Sequence, residues 1–180
     1  MQRWVSLALL VALSACADSV PEPTPTPRTL TEASCDEQRG GTEEALPDFV
    51  KVELESRRGV DAVTFRFRQS APDAPDVPPA YIVQFVDQLV TDGEGAPVEV
   101  EGEAFLAVSF QAVGVDLVGE EPIDVYTGPK EFSPRFPVVR QLKQTGDFEG
   151  VVSWGIGLAR RECVQITADG SRLTLEFASA

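Results

Sequence analysis

The sequence contains no histidine, and this absence removes several classes of enzyme at once. Ser-His and Cys-His catalytic pairs, histidine zinc sites and the usual proton shuttle near neutral pH all need an imidazole. Basic residues are also scarce, since 15 Lys and Arg face 29 Asp and Glu for a net charge of -14. A surface of that charge repels nucleic acid and anionic lipid headgroups, so we expect no nucleic-acid partner.

The chain also lacks an apolar run of the roughly 20 residues that a membrane-spanning helix requires. A shorter apolar run follows Arg3 and ends in the small-residue stretch Leu13-Ser14-Ala15-Cys16. This arrangement resembles a bacterial lipoprotein signal, so we predict a signal peptide over residues 1–15 and lipidation of Cys16. The protein would then be extracytoplasmic and anchored by lipid to the outer face of the bacterial cell membrane. The alternative is an ordinary secretory signal with an unrelated cysteine.

Cysteine is rare as well, with three in the whole chain. If Cys16 is acylated, Cys35 and Cys163 remain as an even pair in an oxidising compartment, and we predict a disulfide between them. The alternative is two free thiols. Residues 16–34, in which prolines alternate with Glu and Thr, are predicted to form an extended spacer that carries the lipid. Residues 35–180 are then a single folded domain.

From Asp48 onward, apolar residues recur with a period of two, which is typical of half-buried β-strands. A hairpin is predicted around Arg57-Arg58-Gly59, another at Asp169-Gly170, and a strand over residues 98–101. About eight to ten short strands predict an all-β domain, either an antiparallel β-sandwich or an open barrel. The predicted core consists of the inward-facing apolar residues Val50, Val52, Leu54, Val63, Phe65, Phe67, Val83, Phe85, Val108, Trp154, Ile156, Leu173 and Leu175.

Acidic residues are the first candidates for chemistry. Asp147 and Glu149 would leave the same face of an extended strand, at a separation that suits a pair of hydrolytic carboxylates. A solvated turn before the strand at Val151 is the interpretation we favour. The densest acidic patch, between Asp92 and Glu103, lacks the spacing of a calcium loop, so we predict a charged sheet edge and neither a metal nor a cofactor.

Aromatic residues are candidates for ligand contact because they anchor many recognition surfaces. Tyr81, Tyr126 and Trp154 qualify, although Trp154 alternates in phase with core residues and core packing is the better interpretation of it. On the face opposite Trp154, the small residues Ser153, Gly155 and Gly157 would leave a shallow groove or permit a close approach of another segment.

Arginines Arg66 and Arg68 are candidates for binding a charged ligand. They are expected to project outward beside Glu53 and Glu55 of the neighbouring strand, which favours cross-strand ion pairs. The alternative is that the two guanidinium groups receive the carboxylates of a cell-wall peptide.

Four stretches resemble the AMIN-like domain of actinobacterial envelope lipoproteins. They are Gly59 to Phe67, Tyr81 to Val90, Gly146 to Val151 and Ser171 to Phe177, and the resemblance covers roughly residues 48–177. It implies an all-β domain outside the cell, similar to the AMIN modules that localise cell-wall amidases by binding peptidoglycan. It implies no catalytic residues.

These observations favour a non-catalytic envelope lipoprotein that binds cell-wall glycan or peptidoglycan. One alternative is an acidic interaction module that docks another envelope protein. A second is a glycan hydrolase that uses Asp147 and Glu149.

Overall fold

The computed structural model describes residues 30–70, 77–116 and 123–179. The predicted signal peptide, Cys16 and most of the predicted spacer lie outside these residues. No helix long and apolar enough to cross a membrane occurs in the described part of the chain.

The described residues form two large antiparallel sheets and one small ribbon, with no helix among them. The six-stranded sheet has the order β1 (Gln38–Gly40), β4 (Tyr81–Val86), β5 (Ala104–Gln111), β10 (Val151–Leu158), β9 (Val139–Phe148) and β8 (Glu131–Phe132). The four-stranded sheet has the order β11 (Val164–Asp169), β12 (Arg172–Ala178), β3 (Val60–Arg68) and β2 (Asp48–Arg57). The ribbon pairs β6 (Val115–Asp116) with β7 (Ile123–Asp124). The predicted all-β sandwich is confirmed, and the described strands do not close into a barrel.

The core lies between the two sheets and is rich in aromatic rings. The Phe49 and Tyr126 rings stack with centroids 4.4 Å apart, and the Phe65 and Phe110 centroids lie 5.1 Å apart. Most of the predicted core is confirmed, since the following residues are buried: Val52, Val63, Phe65, Phe67, Val83, Val108, Trp154, Ile156, Leu173 and Leu175.

One core prediction is wrong because of a backbone irregularity. Pairing between β2 and β3 shifts by one residue between Phe49 and Lys51, as in a β-bulge. A bulge inserts an extra residue and turns the preceding side chain to the other face. Phe49 is therefore fully buried, while Val50 is only half-buried. Leu54 and Phe85 are also half-buried, and both pack against the rim of the core.

Both predicted hairpins are present. Arg58 and Gly59 join β2 to β3 with φ angles of 51° and 76°, as a two-residue primed turn requires. The second hairpin joins β11 to β12, but its turn lies one residue later than predicted, at Gly170-Ser171, because Asp169 still pairs with Arg172.

The predicted strand at residues 98–101 is absent from the described structure. Residues 87–103, here called the strap, instead cross the outer face of the six-stranded sheet, which is the face turned away from the four-stranded sheet. The amide of Asp92 donates to the carbonyl of Thr145 at 3.1 Å, and that of Glu101 donates to Gln141 Oε1 at 2.7 Å. These bonds hold the strap across the face of the sheet, over β9. The strap is therefore not paired edge to edge with a strand and does not join the sheet.

The predicted disulfide between Cys35 and Cys163 is present, with the two Cα atoms 4.5 Å apart. It joins the chain just before β1 to the residue just before β11. Backbone hydrogen bonds of 3.0 Å in both directions between Ser34 and Val164 reinforce the same junction. The N-terminal segment is thereby attached to both sheets.

Candidate functional site

A trough lies on the outer face of the six-stranded sheet. It consists of two adjoining hollows, of about 460 Å³ and about 230 Å³, which share Ile82 and Ser109. The register of the sheet places Arg39, Ile82, Ser109, Ser153 and Gly146 in one row across five strands. This row is the floor of the trough, and it runs between the strap and the end of the sandwich where β9 turns into β10.

The middle of the floor is polar but uncharged. Ser109 and Ser153 contribute hydroxyls from adjacent strands, and the amides of Gln84, Gln88 and Gln111 line the trough around them. Hydroxyl and amide groups both donate and accept hydrogen bonds. The middle of the floor therefore suits an uncharged part of a ligand that is rich in hydroxyl and amide groups.

Charged side chains occur at the two ends of the floor. Arg39 of β1 lies at one end, where Glu43 also lines the larger hollow. At the other end the carboxylate of Asp92 lies over Gly146, where a Cβ atom would collide with it. A ligand in the trough thus meets the cation Arg39, with Glu43 near it, at one end and the anion Asp92 at the other.

An exposed apolar row borders the floor. Val151 pairs with Gln111 on one side and Phe148 on the other, so the three side chains share the outer face. Phe148 is 63% exposed and Val151 is 37% exposed, and Leu46, which is 50% exposed, approaches the neighbouring turn at Gly150. Because a solvent-exposed aromatic ring next to a polar groove offers a flat face for packing, Phe148 is well placed for ligand contact.

The small residues of β10 determine how far the trough extends. A Cβ atom at Gly155 would lie 2.6 Å from Leu89 Cδ1, and one at Gly157 would collide with the backbone of Glu101. The strap therefore fills the space above both glycines, and the trough opens only where Ser153 lies. Both alternatives predicted for these residues therefore occur: the strap packs closely over the two glycines, and a groove opens beside Ser153.

The three aromatic candidates, Tyr81, Tyr126 and Trp154, differ in accessibility. Tyr81 lines the larger hollow and its hydroxyl lies over Gly40, where burial raises the pKa of the phenol. Trp154 is fully buried on the inner face of β10, so its ring offers no surface to a ligand. Tyr126 is also buried, its hydroxyl donates to the Pro129 carbonyl at 2.7 Å, and burial raises its pKa to about 12.

Arg66 and Arg68 lie on the four-stranded sheet, on the opposite side of the molecule from the trough. Arg66 is 3.9 Å from Glu53, as expected, whereas Arg68 pairs with Asp48 at 2.7 Å. The expected pairing with Glu55 is wrong, because Glu55 pairs with Arg57 at 3.2 Å. The structure does not bring these two arginines to the other candidate residues.

Asp147 and Glu149 do not share the face of a strand, as a carboxylate pair would require, and Glu149 lies in a solvent-exposed turn, which is the interpretation favoured above. Glu149 lies in the β9–β10 turn with a φ of 51°, whereas Asp147 points toward the ribbon. Gln144 Nε2 donates to Asp147 Oδ2 at 3.1 Å, and the backbone of Val115 also donates to this carboxylate. Burial is the largest influence on Asp147 and raises its pKa. The geometry is that of one packed carboxyl group, not of a catalytic pair.

The acidic residues of the strap face solvent as predicted, but the predicted charged sheet edge is wrong, because the strap crosses the face of the six-stranded sheet and is not one of its strands. Asp92, Glu94, Glu99, Glu101 and Glu103 are all exposed. Within residues 30–70, 77–116 and 123–179, no group of three or more His, Cys, Asp or Glu side chains is arranged to hold a metal ion.

Sequence reasoning missed the residues that border the trough, namely Phe148, Val151, Ser109, Gln111 and Arg39. Phe148 and Val151 lie on either side of a Glu-Gly turn, a recognisable hairpin signal that could have paired them. No local signal places Ser109 or Arg39 beside them, since that depends on the order of strands in the sheet.

Comparison with known proteins identifies the family. No curated protein and no solved structure matches the chain significantly. The family model of the AMIN-like domain matches residues 48–179, which begins at the first residue of β2 and includes the last residue of β12. Because this match covers well over half of the chain, the protein belongs to the AMIN-like domain family.

Proposed function

We propose that this protein is a non-catalytic, extracytoplasmic module that binds the glycan of peptidoglycan in the trough. Membership of the AMIN-like family supports a peptidoglycan-targeting role, and such domains are generally binding modules without catalytic activity. The observation that carries the proposal is the exposed ring of Phe148 beside an uncharged, hydrogen-bonding floor.

The chemistry of the trough matches that of a wall glycan. Amino sugars present hydroxyl and acetamido groups, which the serine hydroxyls and glutamine amides of the floor can pair with. The CH face of a sugar ring can pack on an aromatic ring such as that of Phe148. The larger hollow, at about 460 Å³, lies within the range of roughly 300 to 1,000 Å³ that is usual for ligand sites.

The proposal also includes where the protein is held in the cell envelope. We infer that Cys16 carries a lipid at the outer face of the cell membrane and that residues 16–34 act as a spacer below the domain. The disulfide between Cys35 and Cys163 supports an oxidising, extracytoplasmic compartment, because such bonds rarely persist in the cytosol. Binding of wall material by the trough would then hold the wall close to the membrane.

Sedimentation of the full-length protein with purified, protein-free peptidoglycan tests this proposal. Wild type is expected to bind, and Phe148→Ala to weaken binding about tenfold or more, as loss of an aromatic anchor does at recognition sites. Because Phe148 is largely exposed, the variant keeps the core intact. Thr174→Ala, on the four-stranded sheet, is the control and is expected to bind like wild type. Absence of wild-type binding at low salt, or equal binding by Phe148→Ala, would refute the proposal.

A second candidate function is docking of another envelope protein. Leu46, Phe148 and Val151 form an exposed apolar cluster at one end of the sandwich, which is typical of a protein contact. Crosslinking in intact cells would favour this function if a reproducible protein adduct formed and disappeared in Phe148→Ala.

A further inference from the structure

The N-terminal segment that precedes the family match builds one end of the trough. Residues 38–40 form β1, which pairs with residues 81–83 of β4 through three register positions. Thr42 continues the contact, since its amide donates to the carbonyl of Pro78 at 3.0 Å and its carbonyl accepts from Ala80 at 2.9 Å. The family match begins at residue 48, so this end of the site is not part of the matched domain.

The disulfide and two side chains hold this segment in place. Cys35 is bonded to Cys163, and Arg161 donates to the carbonyl of Cys35 at 3.3 Å. Gln38 Nε2 donates to the carbonyl of Val164 at 3.0 Å. These contacts attach a strand of only three residues firmly enough to position the side chain of Arg39 beside Ile82.

Arg39 is the only cation among the described residues that line the trough. Its guanidinium is paired with Glu37 at 2.5 Å, which raises the pKa of Arg39 and lowers that of Glu37. The Arg39 side chain is 62% exposed and that of Glu37 is 40% exposed. An ion pair so exposed contributes little stability, so the guanidinium can exchange Glu37 for a ligand group at small cost.

We propose that the ligand of the trough carries a free carboxylate and that Arg39 binds it. This inference rests on the proposed function and adds the class of wall material, which is glycan that retains peptides with free carboxyl groups. The planar guanidinium matches a carboxylate with two parallel hydrogen bonds. Glu43, Asp92 and the net charge of -14 all oppose an approaching anion, so Arg39 is the group on which carboxylate binding depends.

The two ends of the floor then give the ligand a direction. The carboxylate lies at Arg39, the sugar covers Ser109 and Ser153 and packs on Phe148, and the end beside Asp92 stays free of negative groups. Exchange of the ends would bring a carboxylate against Asp92, where like charges repel.

The test compares native peptidoglycan with the same material after its free carboxyl groups are converted to amides with carbodiimide and ammonia. Both stay insoluble, so sedimentation of the full-length protein measures binding to each. Wild type is expected to prefer native material about tenfold or more, as loss of a charge-assisted hydrogen bond implies. Bulk repulsion predicts the opposite preference, because amidation removes negative charge from a polymer that meets an acidic protein.

The variant Arg39→Gln is expected to lose the preference and to bind amidated material at least as well as native material. Arg172→Gln is the matched control, because Arg172 is 49% exposed, pairs with Asp169 at 3.1 Å and lies on the other sheet. It makes the same change in net charge and should keep the wild-type preference. Equal binding of both materials by wild type, or a preference that survives in Arg39→Gln, would overturn the inference and leave the proposed function standing. Binding of neither material would overturn both.

Discussion

Asp61 is a buried carboxylate whose role is structural, although aspartate is often a catalytic residue. It is fully buried, and its carboxylate accepts hydrogen bonds from the amides of Val138 at 2.6 Å and Val139 at 3.1 Å. The hydroxyl of Ser56 donates to the other oxygen at 2.7 Å. Because Asp61 belongs to β3 and the amides mark the start of β9, this carboxylate joins the two sheets.

Asp147 supplies a prediction at the same scale. Since burial raises the pKa of Asp147 above its ordinary value of 3.8, the native state binds the proton of this carboxyl group more tightly than the unfolded state does. Ionisation of Asp147 therefore costs stability as the pH rises through the raised pKa. We expect the free energy of unfolding of wild type, minus that of Asp147→Asn, to be lower at pH 7 than at pH 4. Urea unfolding of both proteins at both pH values measures this difference.

Glu149→Gln removes the same charge from the exposed turn nearby and serves as the control. A difference between wild type and Asp147→Asn that stays constant between pH 4 and pH 7 would contradict the assignment of burial as the main influence on this group.

At the scale of elements, the strap depends on the glycines of β10. The amide of Glu103 donates to the carbonyl of Leu158 at 2.7 Å, and the strap lies directly over Gly157. Gly157→Ala places a methyl group against the backbone of Glu101, so we expect a loss of about 1–3 kcal/mol in the free energy of unfolding. Hydrogen exchange should show faster exchange of the Glu103 amide, with the amides of β3 unchanged.

Ser109→Ala is the control for that experiment, because it changes a residue on the same outer face of the sheet without adding atoms that could displace the strap. Full stability in Gly157→Ala together with an unchanged exchange rate at Glu103 would mean that the strap is not tightly packed on β10.

The strands also show what sequence could and could not predict. Alternation in β3, β10 and β12 gave the correct strands and inward faces, because a period of two survives wherever pairing is regular. Phe49 was missed because the bulge reverses the faces locally, and residues 98–101 alternate without joining a sheet. A groove beside Ser153 was anticipated, but the other residues of the trough were missed, since Arg39, Ser109 and Phe148 are brought together only by the order of strands in the sheet.

For the molecule as a whole, the disulfide is the covalent constraint that joins the start of the described chain to its C-terminal hairpin. Its cysteines are 128 residues apart in sequence, and a loop of that size corresponds to about 5 kcal/mol in the chain-entropy model. We expect the double variant Cys35→Ser, Cys163→Ser to lose about 4–5 kcal/mol in the free energy of unfolding, measured by urea denaturation. Wild type unfolded in dithiothreitol is the matching control. A loss below about 1 kcal/mol would show that packing alone secures the N-terminal segment.

The two sheets have different tasks. The four-stranded sheet presents paired charges and the hydroxyls of Thr64 and Thr174, which lie 3.1 Å apart, whereas the six-stranded sheet carries the trough. If this division is correct, wall material should contact one side of the sandwich only.

The measurement that tests this claim most directly is a titration of isotope-labelled protein with soluble peptidoglycan fragments, followed by amide chemical shifts. Binding in the trough predicts shifts concentrated at Ser109, Gln111, Phe148 and Val151, with little change at Thr64 and Thr174. Shifts concentrated on the four-stranded sheet, or no shifts at saturating fragment, would contradict it.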